Sequence, residues 1–114
     1  DRLCVRRAMG YWVYQLCVGL NVTQSAYQTD RPAPTEHETI LLGRFSDTLT
    51  EDGGVYPLVQ LYDHGEQCGG ASSNSMRGKG RTVRVNFMCA ATGLHLQRVV
   101  EPEPCQYEMN VTHA

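Results

Sequence analysis

Apolar and polar residues alternate regularly in the second half of this chain. Between Arg81 and Met88, the side chains of Val83, Val85 and Phe87 fall on one face and the intervening residues fall on the other. A repeat of two residues is typical of a β-strand with one buried face. Arg81 is in phase with that apolar face, so its guanidinium needs either an acidic partner within the fold or a polar ligand.

The rest of the chain shows short strand patterns separated by turns. Runs of aromatic and β-branched residues predict strands at residues 11–18, 21–27, 39–45, 55–63 and 105–111. Polar, glycine-rich or proline-rich stretches predict connections at residues 29–38, 47–54, 64–80 and 90–93. Gly43 predicts a bulge or a close backbone contact, and Pro57 predicts the edge or the start of its strand. No long helical pattern is present, so the spacing predicts an all-β barrel or sandwich.

Length and charge narrow the classes of protein that fit. The chain has 114 residues and a formal net charge of −2, which suits one domain with a modest core. Its basic residues form no cluster, so we expect no nucleic-acid ligand. No apolar run approaches the roughly 18 residues of a membrane-spanning helix, so we expect no membrane insertion. The sequence begins at Asp1 without a signal-peptide pattern, and we expect residues 1–114 to be one domain excised from a longer protein.

Five cysteines in a chain of this length indicate an oxidising compartment. The glycosylation sequons at Asn21 and Asn110 indicate the same, and together they predict the secretory pathway. The odd count leaves one thiol either free or paired with a cysteine beyond Ala114, and we favour the second. Metal binding is the rival explanation, but His64 and Cys68 are a single pair and no Cys-x-x-Cys occurs, so we predict no metal.

Polar residues that could bind a ligand stand in a fixed order among the cysteines. Cys4 and Cys17 bracket a Tyr-Trp-x-Tyr strand, and the remaining set runs Gln24, Cys68, Arg81, Cys89, Glu101, Cys105 and Tyr107. This ordered set resembles the mannose 6-phosphate receptor homology (MRH) lectin domains, and the resemblance covers nearly the whole chain.

The resemblance implies an all-β fold, a flattened β-barrel of two antiparallel sheets stapled by disulfides. It also implies which cysteines pair. Cys4 would pair with Cys17, Cys68 would pair with Cys105, and Cys89 would pair with a cysteine beyond the last residue.

The resemblance further implies a binding site for one terminal mannose, formed by Gln24, Arg81, Glu101 and Tyr107. Their chemistry suits a pyranose, whose hydroxyls both donate and accept. Arginine only donates, an ionised carboxylate only accepts, and amide and phenol groups do both. Gln24 and Arg81 would contact the axial 2-hydroxyl that distinguishes mannose from glucose, and Glu101 and Tyr107 would hold the 3- and 4-hydroxyls. No cofactor is implied.

Trp12 and Tyr11 are predicted as secondary sugar contacts, because an aromatic ring can stack on the apolar face of a pyranose. In the lectins of glycoprotein degradation in the endoplasmic reticulum, two adjacent tryptophans in this strand contact further mannoses. Here the pair is Tyr11 and Trp12, and this departure leaves the preferred glycan branch open.

These implications lead to a lectin domain, not an enzyme, in the lumen of the endoplasmic reticulum. It would bind terminal mannose on high-mannose N-glycans in glycoprotein quality control, as a degradation lectin or as a glucosidase II beta subunit that recruits substrate. Other domains of the protein would contact a catalytic or ubiquitin-ligase-linked subunit. The alternatives within the family are the phosphotransferase gamma subunit, which shares the Asn-Val-Thr-Gln segment, and a phosphomannose reader that would use Arg77 and Lys79.

Other classes of protein also fit parts of the sequence. Arg81 and Glu101 could form a structural ion pair without any ligand. Glu101 with Glu103 or Asp63 could supply the paired carboxylates of a glycosidase, although Glu103 between two prolines is more simply a turn residue. A disulfide-rich interaction module without a sugar site is a further alternative.

Overall fold

The computed structural model describes residues 3–26, 39–50, 58–68, 80–91 and 93–113. These residues form the strands β1 (Cys4–Met9), β2 (Trp12–Cys17), β3 (Asn21–Ala26), β4 (Thr39–Leu49), β5 (Leu58–His64), β6 (Thr82–Cys89), β7 (His95–Glu103) and β8 (Gln106–His113). Nothing in the described part of the chain forms a helix with the length and apolar character of a membrane span.

The strands hydrogen-bond as one sheet in the order β1-β2-β3-β4-β5-β6-β8-β7. The sheet curls until its edge strands β1 and β7 approach each other. At that seam Arg7 Nη1 donates a hydrogen bond to the carbonyl of Leu96 at 3.3 Å. The result is a nearly closed barrel, which confirms the predicted all-β class.

The two halves of the barrel are joined by the long strand β4. Residues 39–44 of this strand pair with β3, whereas residues 43–49 pair with β5. The hydrogen bonding is therefore continuous between the halves. Strand β8 lies between β6 and β7 in the sheet. It pairs antiparallel with β7 and parallel with β6.

The core fills the inside of the barrel, and its side chains come from strands in both halves. The alternation in β6 is confirmed, because Val83, Val85 and Phe87 are all buried. The largest fully buried side chains include Tyr62 and Met109. Each fully buried apolar side chain contributes roughly 1.5–3 kcal/mol to folding, so the core supplies a rigid frame for the barrel's ends.

Strand boundaries differ from the predictions where a segment is a strand because it hydrogen-bonds to its neighbour and not because its side chains are buried. The sequence pattern does not predict β1, whose residues are largely exposed, but this edge strand pairs with β2 along its whole length. A turn is predicted at residues 47–54, yet Asp47–Leu49 continue β4 because they pair with β5. β5 begins at Leu58, and Pro57 lies outside the described residues.

Gly43 occupies a position where a larger residue would not fit. A Cβ atom there would lie 2.9 Å from the Cβ of Tyr62 on the neighbouring strand. The register of β3 and β4 also shifts between Val22 and Thr23, beside Gly43. The predicted bulge and close contact are therefore both present.

Two disulfides are present, with the pairings that the resemblance implies. Cys4–Cys17 joins the ends of β1 and β2, with a sequence separation of 13 residues. Cys68–Cys105 spans 37 residues and joins the segment before β6 to the turn before β8. In the chain-entropy model these crosslinks stabilise the fold by about 3 and about 4 kcal/mol.

Cys89 ends β6 with an exposed thiol that has no disulfide partner among the described residues. The parallel register places it beside His113, near the last described residue. The disulfide with a cysteine beyond the last residue stays a prediction.

Candidate functional site

The residues Gln24, Arg81, Glu101 and Tyr107 lie at one end of the barrel, which we call the site end. The parallel pair β6–β8 begins there, and the Thr82 amide donates to the carbonyl of Cys105 at 3.2 Å. Arg81 directly precedes β6 and therefore lies beside the turn that contains Cys105. The site end thus combines residues that are far apart in the sequence.

A chain of backbone hydrogen bonds brings Gln24 to the same end. Gln24 pairs with Ile40 at the start of β4. The next residue, Leu41, accepts a hydrogen bond at 2.8 Å from the amide of Glu66, and its own amide donates to the Glu66 carboxylate at 2.7 Å. The carbonyl of Glu66 in turn accepts from the amide of Arg81 at 3.1 Å.

The Arg81 side chain is fixed on one side only. Its Nη1 donates to the carbonyls of Glu66 at 3.2 Å and Gln67 at 2.9 Å. Its Nε atom is buried and has no hydrogen-bond partner among the described residues. The guanidinium is therefore held in place while a donor remains unused.

Glu101 is held by the corner that precedes β8. One carboxylate oxygen accepts a hydrogen bond from the Cys105 amide at 2.7 Å. Cys105 has a φ of 65°, an uncommon conformation for a residue with a side chain, and its sulfur is bonded to Cys68. The other carboxylate oxygen has no hydrogen-bond partner among the described residues and can accept from a ligand.

Gln24 and Tyr107 face inward and are buried, with 6% and 7% of their surfaces exposed. The side-chain oxygen of Gln24 is buried without a hydrogen-bond partner among the described residues. Buried polar atoms are nearly always paired, so this acceptor and the Arg81 donor are exceptions that need an explanation.

Tyr14 also lies near the site end, although the sequence does not predict it as a site residue. It lies directly across from Gln24 on the neighbouring strand β2 and packs against the core. Burial raises the pKa of the Tyr14 hydroxyl, and the nearby groups Tyr107 and Glu101 raise it further. Tyr14 therefore lies close to both halves of the site. The signal available in the sequence was its shared face with Trp12 in an alternating strand.

The predicted secondary contacts lie at the rim. Trp12 begins β2 and is half-buried on the same face as Tyr14, two positions along the strand. Tyr11 is 66% exposed, and its ring meets that of Trp12 edge-on at 4.9 Å. Their role in sugar binding stays a prediction.

Two alternatives that involve Glu101 find no support in the geometry. Within the described residues, no ion pair joins Arg81 to Glu101, so the structural salt bridge is absent there. Of the two carboxylates proposed to pair with Glu101, Asp63 is hydrogen-bonded to the ring of His64 at 2.6 Å. Glu103 is exposed on β7, opposite Gln106.

A metal site based on His64 and Cys68 is also unsupported, since the Cys68 sulfur is bonded to Cys105. In the described ranges, no group of three or more histidine, cysteine or acidic residues is placed to hold a metal ion.

Comparison with protein families identifies the chain. The family described as glucosidase II beta subunit-like protein matches residues 2–68. The chain belongs to this family. The MRH domains of this family are lectin domains, so this domain is not an enzyme. The match includes Gln24 but ends before Arg81, Glu101 and Tyr107. No curated protein matches the chain.

Solved structures share the fold across almost the whole chain. The MRH domain of glucosidase II beta bound to mannose has a TM-score of 0.67 at 22% identity, with coverage of 97% of this chain and 88% of that chain. A point mutant of the GBII-beta MRH domain has a TM-score of 0.65 at 22% identity, with coverage of 97% of this chain and 88% of that chain. The MRH domain of Yos9 complexed with alpha3,alpha6-Man5 has a TM-score of 0.72 at 23% identity, with coverage of 97% of this chain and 74% of that chain. At these identities the likeness establishes an MRH fold.

Proposed function

We propose that the site end binds one terminal mannose through Gln24, Arg81, Glu101 and Tyr107. The observation that carries this proposal is the pair of buried, unpartnered atoms, Gln24 Oε1 and Arg81 Nε. One atom accepts and the other donates, and a hydroxyl group can satisfy both. An apolar or purely anionic ligand would leave the glutamine oxygen without a donor.

The remaining two residues suit the neighbouring hydroxyls of the sugar. One Glu101 oxygen accepts from the Cys105 amide, and the other has no partner in the described part of the chain and can accept from the sugar. Tyr107 can donate or accept. Hydrogen bonds to charged groups contribute about 1.5–3 kcal/mol each and neutral ones about 1 kcal/mol. With Gln24 and Arg81 at the axial 2-hydroxyl, mannose would be preferred over glucose.

The biological role that fits is recognition of mannose-terminated N-glycans in glycoprotein quality control in the endoplasmic reticulum. Three observations support it: family membership, a disulfide-linked fold that suits an oxidising compartment, and an MRH fold shared with structures solved with mannose and with alpha3,alpha6-Man5. Residues 1–114 would act as a single lectin domain of a longer protein whose other domains contact a partner subunit. The family match favours substrate recruitment of the glucosidase II beta type.

A glycan array tests this proposal with four variants. Arg81→Ala and Glu101→Gln should each abolish binding to mannose-terminated glycans. The glutamine amide oxygen can still accept from Cys105, so the corner is kept in Glu101→Gln. Arg98→Ala and Glu103→Gln, which change exposed residues of the same types on β7, should bind like the wild type.

Competition measurements complete the test. Free mannose should displace the bound glycan, whereas free galactose should not. The site assignment is wrong if Arg81→Ala and Glu101→Gln both retain binding. The array should also contain phosphomannose, because Arg77 and Lys79 lie outside the described residues; a preference for it would replace the proposed ligand.

A further inference from the structure

In the described part of the chain, the start of β4 pairs with a strand on one side only. Strand β3 pairs with residues 39–44, whereas the pairing with β5 begins at Gly43. On the open side, the backbone of Leu41 needs partners from elsewhere in the chain. Glu66, which follows β5, supplies two. Its amide donates to the Leu41 carbonyl at 2.8 Å, and its carboxylate Oε2 accepts from the Leu41 amide at 2.7 Å.

The carboxylate of Glu66 takes a place that a backbone carbonyl normally takes. Two facing residues of an antiparallel pair often exchange two hydrogen bonds between their own amides and carbonyls. Here the side chain accepts in place of the carbonyl, and the carbonyl of Glu66 bonds Arg81 instead. It accepts from the Arg81 amide at 3.1 Å and from Arg81 Nη1 at 3.2 Å. Glu66 therefore bonds both the start of β4 and the arginine of the proposed site.

Two glycines allow the segment around Glu66 to lie close to its neighbours. A Cβ atom on Gly65 would overlap the carbonyl oxygen of Leu42, and one on Gly80 would lie 2.9 Å from the carbonyl oxygen of Gly65. The Gly65 amide also donates to the carbonyl of Arg81 at 3.0 Å. The backbone around Glu66 is thus packed between β4 and residues 80–81, so a shift of Glu66 would move Arg81.

The position of Arg81 matters because its buried Nε and the buried Oε1 of Gln24 both lack a partner among the described residues. Gln24 pairs with Ile40, the residue that precedes Leu41. The bonds between Leu41 and Glu66 therefore link the strand pair that carries the acceptor to the segment that carries the donor. One sugar hydroxyl can satisfy both atoms only if their spacing is fixed, since such hydrogen bonds require heavy-atom distances of about 2.7–3.2 Å.

We propose that Glu66 is a positioning residue of the mannose site, whose carboxylate fixes Arg81 relative to Gln24. This inference rests on the proposed function and adds to it a residue that acts through Arg81. The property that matters is an acceptor with the right reach, and not the negative charge. A glutamine can accept from the Leu41 amide with its side-chain oxygen, whereas an alanine leaves that amide to water.

Calorimetric titration with a mannose-terminated glycan tests the inference with three variants. Glu66→Ala should bind about five- to tenfold more weakly, the loss expected for one hydrogen bond, and Glu66→Gln should stay within about twofold of the wild type. Asp47→Ala is the matched control, because the Asp47 carboxylate accepts from the Thr48 amide at 2.8 Å on an exposed part of β4. It should bind like the wild type. Thermal unfolding checks that all three variants are folded.

The Nε–H signal of Arg81 in a heteronuclear NMR spectrum of the free domain gives a readout that does not depend on sugar binding. Its absence in Arg81→Ala assigns the signal. In the wild type this proton should exchange slowly with water, because Nε is buried. Exchange should be faster in Glu66→Ala and should return to the wild-type rate in Glu66→Gln. Asp47→Ala should leave the signal unchanged.

The outcomes separate this inference from the proposed function. Wild-type affinity in Glu66→Ala, with binding abolished in Arg81→Ala, overturns the inference and leaves the proposed function standing. A Glu66→Gln variant as weak as Glu66→Ala, or an equal loss of affinity in Asp47→Ala, also overturns the inference. A wild-type domain that binds no mannose glycan overturns the proposed function, whereas the NMR comparison still decides whether Glu66 positions Arg81.

Discussion

Strands β6 and β8 carry two polar clusters that differ in how their hydrogen bonds are completed. On the outer face, Asn86 donates to Glu108 at 2.7 Å and to Asn110 at 3.0 Å, and accepts from Arg84 at 3.0 Å. We call these four residues the outer network. On the inner face and at the site end, buried atoms of Gln24 and Arg81 find no partner in the described protein.

This difference separates a structural role from a binding role. A buried polar group with all its partners stabilises one arrangement of the strands, whereas an unpaired one costs about 1–3 kcal/mol. A fold tolerates that cost where a ligand supplies the missing partner. The outer network should therefore govern stability, and the site end should govern binding.

The largest expected effect comes from the Cys68–Cys105 disulfide, which links the segment that holds Arg81 to the corner that holds Glu101. Replacing both cysteines with serine should lower the free energy of unfolding by about 4 kcal/mol. Mannose binding should be lost even where denaturant curves show the variant folded. Replacing Cys4 and Cys17 instead should cost about 3 kcal/mol and preserve binding; equal losses of binding would contradict this comparison.

The next effect tests the outer network. Asn86→Ala removes the shared partner of Glu108, Asn110 and Arg84 and should lower the free energy of unfolding by roughly 2–3 kcal/mol. The mannose affinity of the folded variant should not change. Gln97→Ala, which removes one long surface bond at 3.4 Å, serves as the control and should stay within about 0.5 kcal/mol of the wild type. A stability-neutral Asn86→Ala would show that the outer network is not structural.

Two buried glutamines allow a matched test of the site end. Gln24→Met removes an unpartnered oxygen, so it should weaken mannose binding at least about tenfold and leave stability equal or up to about 1 kcal/mol higher. Gln60→Met removes the acceptor of the Tyr62 hydroxyl and should destabilise the fold without weakening binding. Denaturant unfolding and calorimetry on both variants decide the matter. If Gln24→Met destabilises as Gln60→Met does, Gln24 belongs to the structural class.

The smallest effect concerns pH. Burial is the main cause that raises the pKa of both Tyr14 and Tyr62 above the usual value near 10. The unfolded chain therefore loses these protons first, so the stability they contribute is complete below about pH 10 and is lost as pH rises through the higher folded pKa values. Urea unfolding should give a constant stability from about pH 7 to 9 and a decline above about 10. The double variant Tyr14→Phe, Tyr62→Phe should decline less steeply; an identical slope would contradict this.

Local patterns were sufficient to predict several strands. The alternation in β6 and the aromatic run in β2 fix which side chains face inward, because a strand exposes its faces with a repeat of two. Where the alternation is absent, as in β1, only the partner strand and the Cys4–Cys17 bond form the element. The end of β4 also lacks this alternation, so the sequence predicts a turn at residues 47–49, where pairing with β5 extends the strand.

The sequence by itself determined the all-β class, the inward face of β6 and the family to which the order of glutamine, arginine, glutamate and cysteines points. The tertiary structure decided the parallel pairing of β6 with β8, the place of Tyr14 beside Gln24, and the bonds that join Glu66 to Leu41 and Arg81. The physical reason is that periodicity acts between neighbouring residues, whereas strand partners and unsatisfied atoms depend on contacts between distant parts of the chain.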